Sequence, residues 1–329
     1  MVVCVLSHGG GLINAAKQFS IPIEQWIDLS TGINPNGWPV PAIPASSWAR
    51  LPEQNDGLIE VAKNYYHCQS LLPVAGSQAA IQVLPMLRAP CKVAIPKLGY
   101  TEHRKAWEQQ GHEVVGLDTQ SIFEQVDRFD VVVLINPNNP TAELINKQDL
   151  LMLHKTLHKR AGWLIVDEAF MDVSSQQSLS DVSDQQGLFV LRSVGKFFGL
   201  AGIRAGFVLA EQSKLDQIEE QLGPWPVSGP TRWICKQALA DHVWQASMRH
   251  QLVDQAQRLN QLISSRLNIA VQGTALFQTC YPPQAQTVYT QLAEQGILTR
   301  LLDQKDGVRF GLPADEAEFQ RLEKALSYL

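Results

Sequence analysis

The sequence is poor in the features that mark metal-binding, secreted and membrane chains. Five cysteines (Cys4, Cys68, Cys91, Cys235 and Cys280) are spread over 329 residues, and none forms a Cys-x-x-Cys pair. That spacing argues against a zinc site or a disulfide scaffold and fits a reducing, cytoplasmic setting. Eight histidines are scattered without His-Glu-x-x-His spacing, so no metal site is expected. No apolar run approaches the length of about 18 residues that a membrane-spanning helix needs. The apolar start Met1–Leu6 is short and lacks the basic leader of a signal peptide. Lys and Arg number 27 against 32 Asp and Glu, a formal charge of −5, so no basic footprint suggests nucleic acid. Repeats and low-complexity tracts are missing as well.

What is present is an alternation of short apolar runs and helical patterns. The runs 93–96, 113–117, 131–135, 163–166, 188–191 and 204–209 read as strands buried on both faces. The clearest helix spans 146–160, with Asn146 as its cap and Leu150, Leu151, Leu153 and Leu157 on one side. His154 and His158 fall near its end, where a solvated, dipole-facing position is expected. Alternating strands and helices predict an α/β fold with a mainly parallel central sheet flanked by helices. Ligands then sit beyond the strand C-termini, where Asn139, Asp167 and Ser193 all fall. The Pro- and Gly-rich segment 223–230 breaks the periodicity. We therefore expect an N-terminal arm (1–35), a large domain (36–219) and a smaller C-terminal α/β domain (220–329).

Four signals stand out in order: Asn136-Pro137-Asn138-Asn139-Pro140-Thr141, Asp167-Glu168-Ala169-Phe170, Ser193-Val194-Gly195-Lys196 and Gly202-Ile203-Arg204. Asn139 to Asp167 is 28 residues, Asp167 to Lys196 is 29 and Lys196 to Arg204 is 8. Singly, each is weak, since Asn-Pro-Asn-Asn-Pro is also ordinary turn chemistry. Together they supply what pyridoxal phosphate needs: a lysine amine, an acid beside the pyridine nitrogen, a donor for the phenolate oxygen, and cations and N–H groups for the phosphate. Gly76-Ser77-Gln78, just before the helical pattern 79–87, adds free N–H groups suited to that phosphate.

This set resembles the fold-type I pyridoxal-phosphate aminotransferase superfamily over most of the chain, from about His8 to Arg309. The resemblance implies that Lys196 bonds to the cofactor and that Asp167 faces its pyridine nitrogen. It implies that Asn139 donates to the phenolate oxygen and Tyr100 stacks on the ring. Gly76, Ser77, Gln78, Ser193 and Arg204 then cup the phosphate. Three departures stand against the pattern. Phe170 replaces a tyrosine, Ala142 replaces a glycine, and Leu51-Pro52-Glu53 replaces the Tyr-Pro-Asp/Glu that reaches across a homodimer.

The N-terminal signals Ser7-His8-Gly9-Gly10-Gly11 and Asp28-Leu29-Ser30-Thr31-Gly32-Ile33-Asn34-Pro35, with Tyr100-Thr101-Glu102-His103, look like the threonine-phosphate decarboxylase branch of cobalamin biosynthesis. Gly11 and Thr31-Gly32 depart from that branch's usual residues. The resemblance implies a phosphorylated amino acid as substrate, with Arg309 on its carboxylate and Arg300 on its phosphate beside His8, Gly9 and Asn34. It also implies a homodimer whose active site lies in the cleft and at the subunit interface. Histidinol-phosphate aminotransferases share most of these motifs, so transamination stays open. A protein that binds the cofactor without catalysis is the alternative of another class.

Overall fold

The computed structural model describes residues 9–329, so His8 lies outside the described residues. In chain order the strands are β1 (Ile27–Asp28), β2 (Leu72–Val74), β3 (Lys92–Pro96), β4 (Glu113–Leu117), β5 (Val131–Ile135), β6 (Trp163–Asp167), β7 (Leu188–Ser193), β8 (Gly206–Leu209), β9 (Val271–Gly273), β10 (Phe277–Cys280), β11 (Ile297–Leu298), β12 (Arg300–Leu301) and β13 (Val308–Gly311).

The chain divides into two units. The larger comprises Gly37–Asn139 and Glu143–Gln245. Its seven-stranded sheet has the order β2-β8-β7-β6-β5-β3-β4. β3 to β7 run parallel, and β8 is antiparallel to both of its neighbours. β5, β6 and β7 are buried along their whole length because helices cover both faces. Val131, Val133, Ile165, Phe189 and Leu191 pack with Ile81, Leu84 and Trp107 from flanking segments. Each such burial stabilises by about 1.5–3 kcal/mol. The α/β class with a mainly parallel, helix-flanked sheet is therefore as expected.

The smaller unit holds the chain up to Asn36, Pro140–Ala142 and Ala246–Leu329. It contains a four-stranded antiparallel sheet, β12-β13-β10-β9, and the short parallel pair β1-β11. Residues 220–245 were expected in the C-terminal domain but lie in the larger unit. The helix Gly229–Ala240 carries them there by packing on the helices Leu58–Tyr66 and Ser46–Ala49. The division instead falls within the helix His242–Leu267.

Two local expectations need correcting. The helix Lys147–His158 starts at the expected cap, Asn146, whose side chain accepts from Asp149 N. Its His154, however, is buried, with Nε2 donating to Gln186 O (3.0 Å), while His158 is exposed. Arg204 is not part of a strand. Its φ of 54° is left-handed, and β8 begins only at Gly206. No described helix is long and apolar enough to cross a membrane, and no metal-ligand cluster occurs among the described residues.

Candidate active site

In the larger unit, the C-terminal ends of three adjacent parallel strands set the site. β5 leads to Asn139, β6 ends on Asp167, and β7 ends on Ser193, three residues before Lys196. Ile135 pairs in register with Asp167, and Asp167 with Leu191, so the three loops leave one sheet edge side by side. The loop after β5 is held by the buried Asn136, whose side chain donates to Ile145 O (3.0 Å) and accepts from Ile145 N (2.8 Å). Asn138 adds a bond to Leu98 O (2.8 Å). Asn139 is thus presented from a fixed loop.

The expected phosphate residues converge on the other side of Ser193. Ser193 pairs with Gly206 across β7 and β8. A Cβ on Gly206 would stand 2.7 Å from Ser77 N and 3.0 Å from Gly76 C, so β8 begins against the turn that opens the helix Ser77–Val83. Gly76 itself has φ +74, and a Cβ there would meet Arg204 Nη2 at 2.7 Å. Any side chain at 76 would displace the guanidinium. The backbone N–H of Ser77 and the Arg204 guanidinium therefore come together at this turn, with Ser193 on the paired strand end. That donor set fits a dianionic phosphate.

Asp167 is 3% exposed. Its Oδ1 accepts from Ala169 N (3.0 Å), and its Oδ2 accepts from His103 Nε2 (3.0 Å). A carboxylate this deep needs such partners. His103 is equally buried, on the helix Thr101–Gln109. Sequence reasoning gave it no role. The available signal was its place three residues after Tyr100, one helical turn along the same face. Lys196 is half-buried, with Nζ 5.4 Å from the centre of the Phe170 ring. Phe170 stands where relatives carry a tyrosine, so a cation–π contact occupies the place of a hydroxyl.

Tyr100 donates to Gln78 Oε1 (3.1 Å), and Gln78 donates to Glu102 Oε2 (2.9 Å). This chain fixes the phenol beside the Ser77–Val83 helix. Burial first, and then the negative charges of Glu102 and Asp167, push the Tyr100 hydroxyl up to about 12. Tyr100 therefore stays a neutral ring. A lysine amine, a buried carboxylate, an amide donor, a neutral aromatic and an anion cup match the chemistry of pyridoxal phosphate.

The remaining candidates lie in the smaller unit. Arg300 on β12 pairs in register with Arg309 on β13, which pairs with Thr279 on β10. Opposed residues of an antiparallel pair share a face, and like charges there repel unless an anion joins them. Arg309 is 7% exposed, and its Nη2 donates to Ser30 O (2.6 Å). Burial, with a contribution from Arg300, pushes its guanidinium down to about 10, which still leaves it charged at neutral pH. Arg300 donates to Asp303 Oδ1 (2.7 Å). A Cβ on Gly9 would stand 2.3 Å from Ser30 O and 3.6 Å from Arg309 Nη2, so only glycine fits beside that arginine. Asn34 is buried, with Oδ1 accepting from Asn36 N (2.9 Å). Ala142, also in this unit, has φ +61, which accounts for the glycine usual at that place in relatives.

The family model for aminotransferase class I and II matches residues 50–308. The chain belongs to that family. It is 46% identical to a threonine-phosphate decarboxylase of Pseudomonas aeruginosa, over 98% of this chain and 97% of that one. It is 39% identical to a threonine-phosphate decarboxylase of Sinorhizobium sp., over 97% of each chain. Among solved structures it resembles a histidinol-phosphate aminotransferase from Sinorhizobium meliloti in complex with pyridoxal 5′-phosphate. The TM-score there is 0.84 at 18% identity, covering 99% of this chain and 98% of the other. At that identity the likeness speaks for the fold.

Proposed function

We propose that this chain is a pyridoxal-phosphate-dependent carboxy-lyase that converts L-threonine O-3-phosphate to (R)-1-aminopropan-2-yl phosphate, a step of cobalamin biosynthesis. The observation that carries the reading is the 46% identity, along nearly the whole chain, to a decarboxylase of that name. The paired Arg300 and Arg309 support it, because the substrate carries two anions.

When bound, pyridoxal phosphate supplies an electron sink for the bond broken at the substrate Cα. Lys196 would hold the cofactor through its amine. Asp167, oriented by His103 and Ala169 N–H, would keep a proton on the pyridine nitrogen. Gly76, Ser77, Gln78, Ser193 and Arg204 would hold the cofactor phosphate, Asn139 would donate to its phenolate oxygen, and Tyr100 would cover its ring. Arg309, backed by Gly9, binds the substrate carboxylate. Arg300, with Asn34 and His8, binds the substrate phosphate. Arg309 and Arg300 together would hold both anions and so orient the Cα–carboxylate bond for cleavage, which would release carbon dioxide and leave Cα to take up a proton.

Removing one charged hydrogen bond costs about 1.5–3 kcal/mol. Arg300→Ala is therefore expected to cut kcat/KM for threonine phosphate roughly 10- to 150-fold. Cofactor binding should be unchanged, and any slow turnover of free threonine should be little altered. Steady-state kinetics on both substrates check this; an equal loss on both would remove the phosphate role.

The active unit is proposed to be a homodimer in the cytoplasm. Leu51 at the tyrosine position removes one cross-subunit contact but leaves the remaining interface. Sedimentation equilibrium should give twice the 36.5 kDa chain mass. A fully active monomer would overturn the dimer.

A further inference from the structure

Behind the cofactor residues lies a buried charge cluster that the mechanism above does not use. Arg192, the residue before Ser193 on β7, is 2% exposed. Its Nη1 donates to Glu168 Oε2 (2.6 Å), and its Nη2 donates to Asp172 Oδ1 (2.9 Å). Its guanidinium lies 4.7 Å from the centre of the Tyr66 ring. Glu168 is fully buried and also accepts from Ser178 Oγ and from Leu179 N (2.8 Å). Asp172, 1% exposed, also accepts from Tyr65 OH (2.9 Å). Burial pushes the Glu168 carboxyl up from its ordinary value, while Arg192, Ser178 and Leu179 N–H pull it back.

The covalent neighbours of this cluster give it meaning. Glu168 directly follows Asp167, and their carboxylates go to different partners, Arg192 and His103. Glu168 N also donates to Leu191 O (2.9 Å), next to Arg192. Arg192 precedes Ser193 and stands four residues before Lys196. The turn between them is closed by Val194 N donating to Ala205 O (3.3 Å) and Gly195 N donating to Ser193 Oγ (3.2 Å). One planar fork therefore joins the loop that begins at Asp167 to the strand end that leads into Lys196. A fork with two fixed directions constrains angles as well as distance, which a lysine at the same place would not do.

We propose that Arg192 is a positioning residue. By gripping Glu168 and Asp172 it fixes the directions in which Asp167 and Lys196 leave neighbouring strands, although it is bonded to neither. The role rests on the functional reading above, in which Asp167 and Lys196 hold the cofactor from two sides. A small misplacement of either would be felt in the chemical step, where about 1 Å can cost on the order of a hundredfold.

Two variants test this. Arg192→Lys keeps the charge and loses the fork. The triple change Arg192→Met, Glu168→Gln and Asp172→Asn removes all the charges together, which buried networks often tolerate in stability. For each, kcat, KM, melting temperature and the dissociation constant of pyridoxal phosphate are measured beside the wild type. We expect Arg192→Lys to lower kcat about a hundredfold with KM near the wild-type value, and to weaken cofactor binding. In the triple variant melting temperature should recover towards wild type while kcat does not. A purely structural cluster would restore activity along with stability. Wild-type kcat and cofactor affinity in either folded variant overturn the proposal. So does failure of both variants to fold, since the cluster is then needed by the fold as a whole. Wild-type protein that takes up no pyridoxal phosphate overturns the functional reading instead, and this proposal with it.

Discussion

Lys196→Ala is expected to lower turnover by about four to six orders of magnitude, the scale seen when a covalent catalytic group is removed. In the proposed reading the lysine amine would be the covalent tether of the cofactor. Its half-buried place near Phe170, three residues past the Ser193 strand end, leaves no other lysine at that turn. The variant should remain folded, because Lys196 is not part of the apolar core. Pyridoxal phosphate should still enter the cup formed by Gly76, Ser77, Ser193 and Arg204, but it should dialyse away readily. The visible absorbance of lysine-bound cofactor should be missing. An unchanged spectrum in the folded variant would remove Lys196 from its role.

Asp167→Asn should also leave a folded protein. Asparagine keeps the size of the side chain, and its amide oxygen can still accept from Ala169 N. What is lost is the negative charge that faces His103, which in the proposed reading would hold the pyridine proton. Losing one partner of a buried charged pair costs about 3–5 kcal/mol, which in a rate corresponds to roughly two to four orders of magnitude. Cofactor affinity should fall as well. Near-normal turnover in a folded Asp167→Asn protein would exclude the electron-sink role. His103→Phe is the natural companion, because it tests whether the carboxylate acts with its imidazole partner or alone.

The fold was legible where burial is complete. The runs Val131–Ile135 and Trp163–Val166 show no alternation, and a strand covered on both faces needs none. Asn146 identified its helix because a cap works through local chemistry. Sequence reading went wrong where the decisive partner is distant in the chain. His154 reads as a solvated helix end, yet Gln186 O, 32 residues on, pulls it inward. Residues 220–245 read as C-terminal, but they join the larger unit through a helix that packs on Leu58–Tyr66. The same holds at the candidate site. Asp167, Ser193 and Lys196 could be found by spacing because each lies at or just past a strand end, and Arg204 by its offset from Lys196. The Arg192–Glu168–Asp172 cluster could not, since its meaning comes only from what it touches, and the signal for His103 was its place one helical turn after Tyr100.

Decarboxylation of threonine phosphate can be tested in a single incubation. Purified protein, loaded with pyridoxal phosphate, is given L-threonine O-3-phosphate, and the products are followed by carbon dioxide release and proton NMR. One carbon dioxide and one aminopropanol phosphate are expected for each substrate consumed, with no 2-oxo acid required. Glutamate formed from histidinol phosphate and 2-oxoglutarate, with no carbon dioxide from threonine phosphate, would contradict decarboxylation in favour of an aminotransferase. Cofactor bound without either reaction would contradict it in favour of a protein that binds pyridoxal phosphate but does not catalyse.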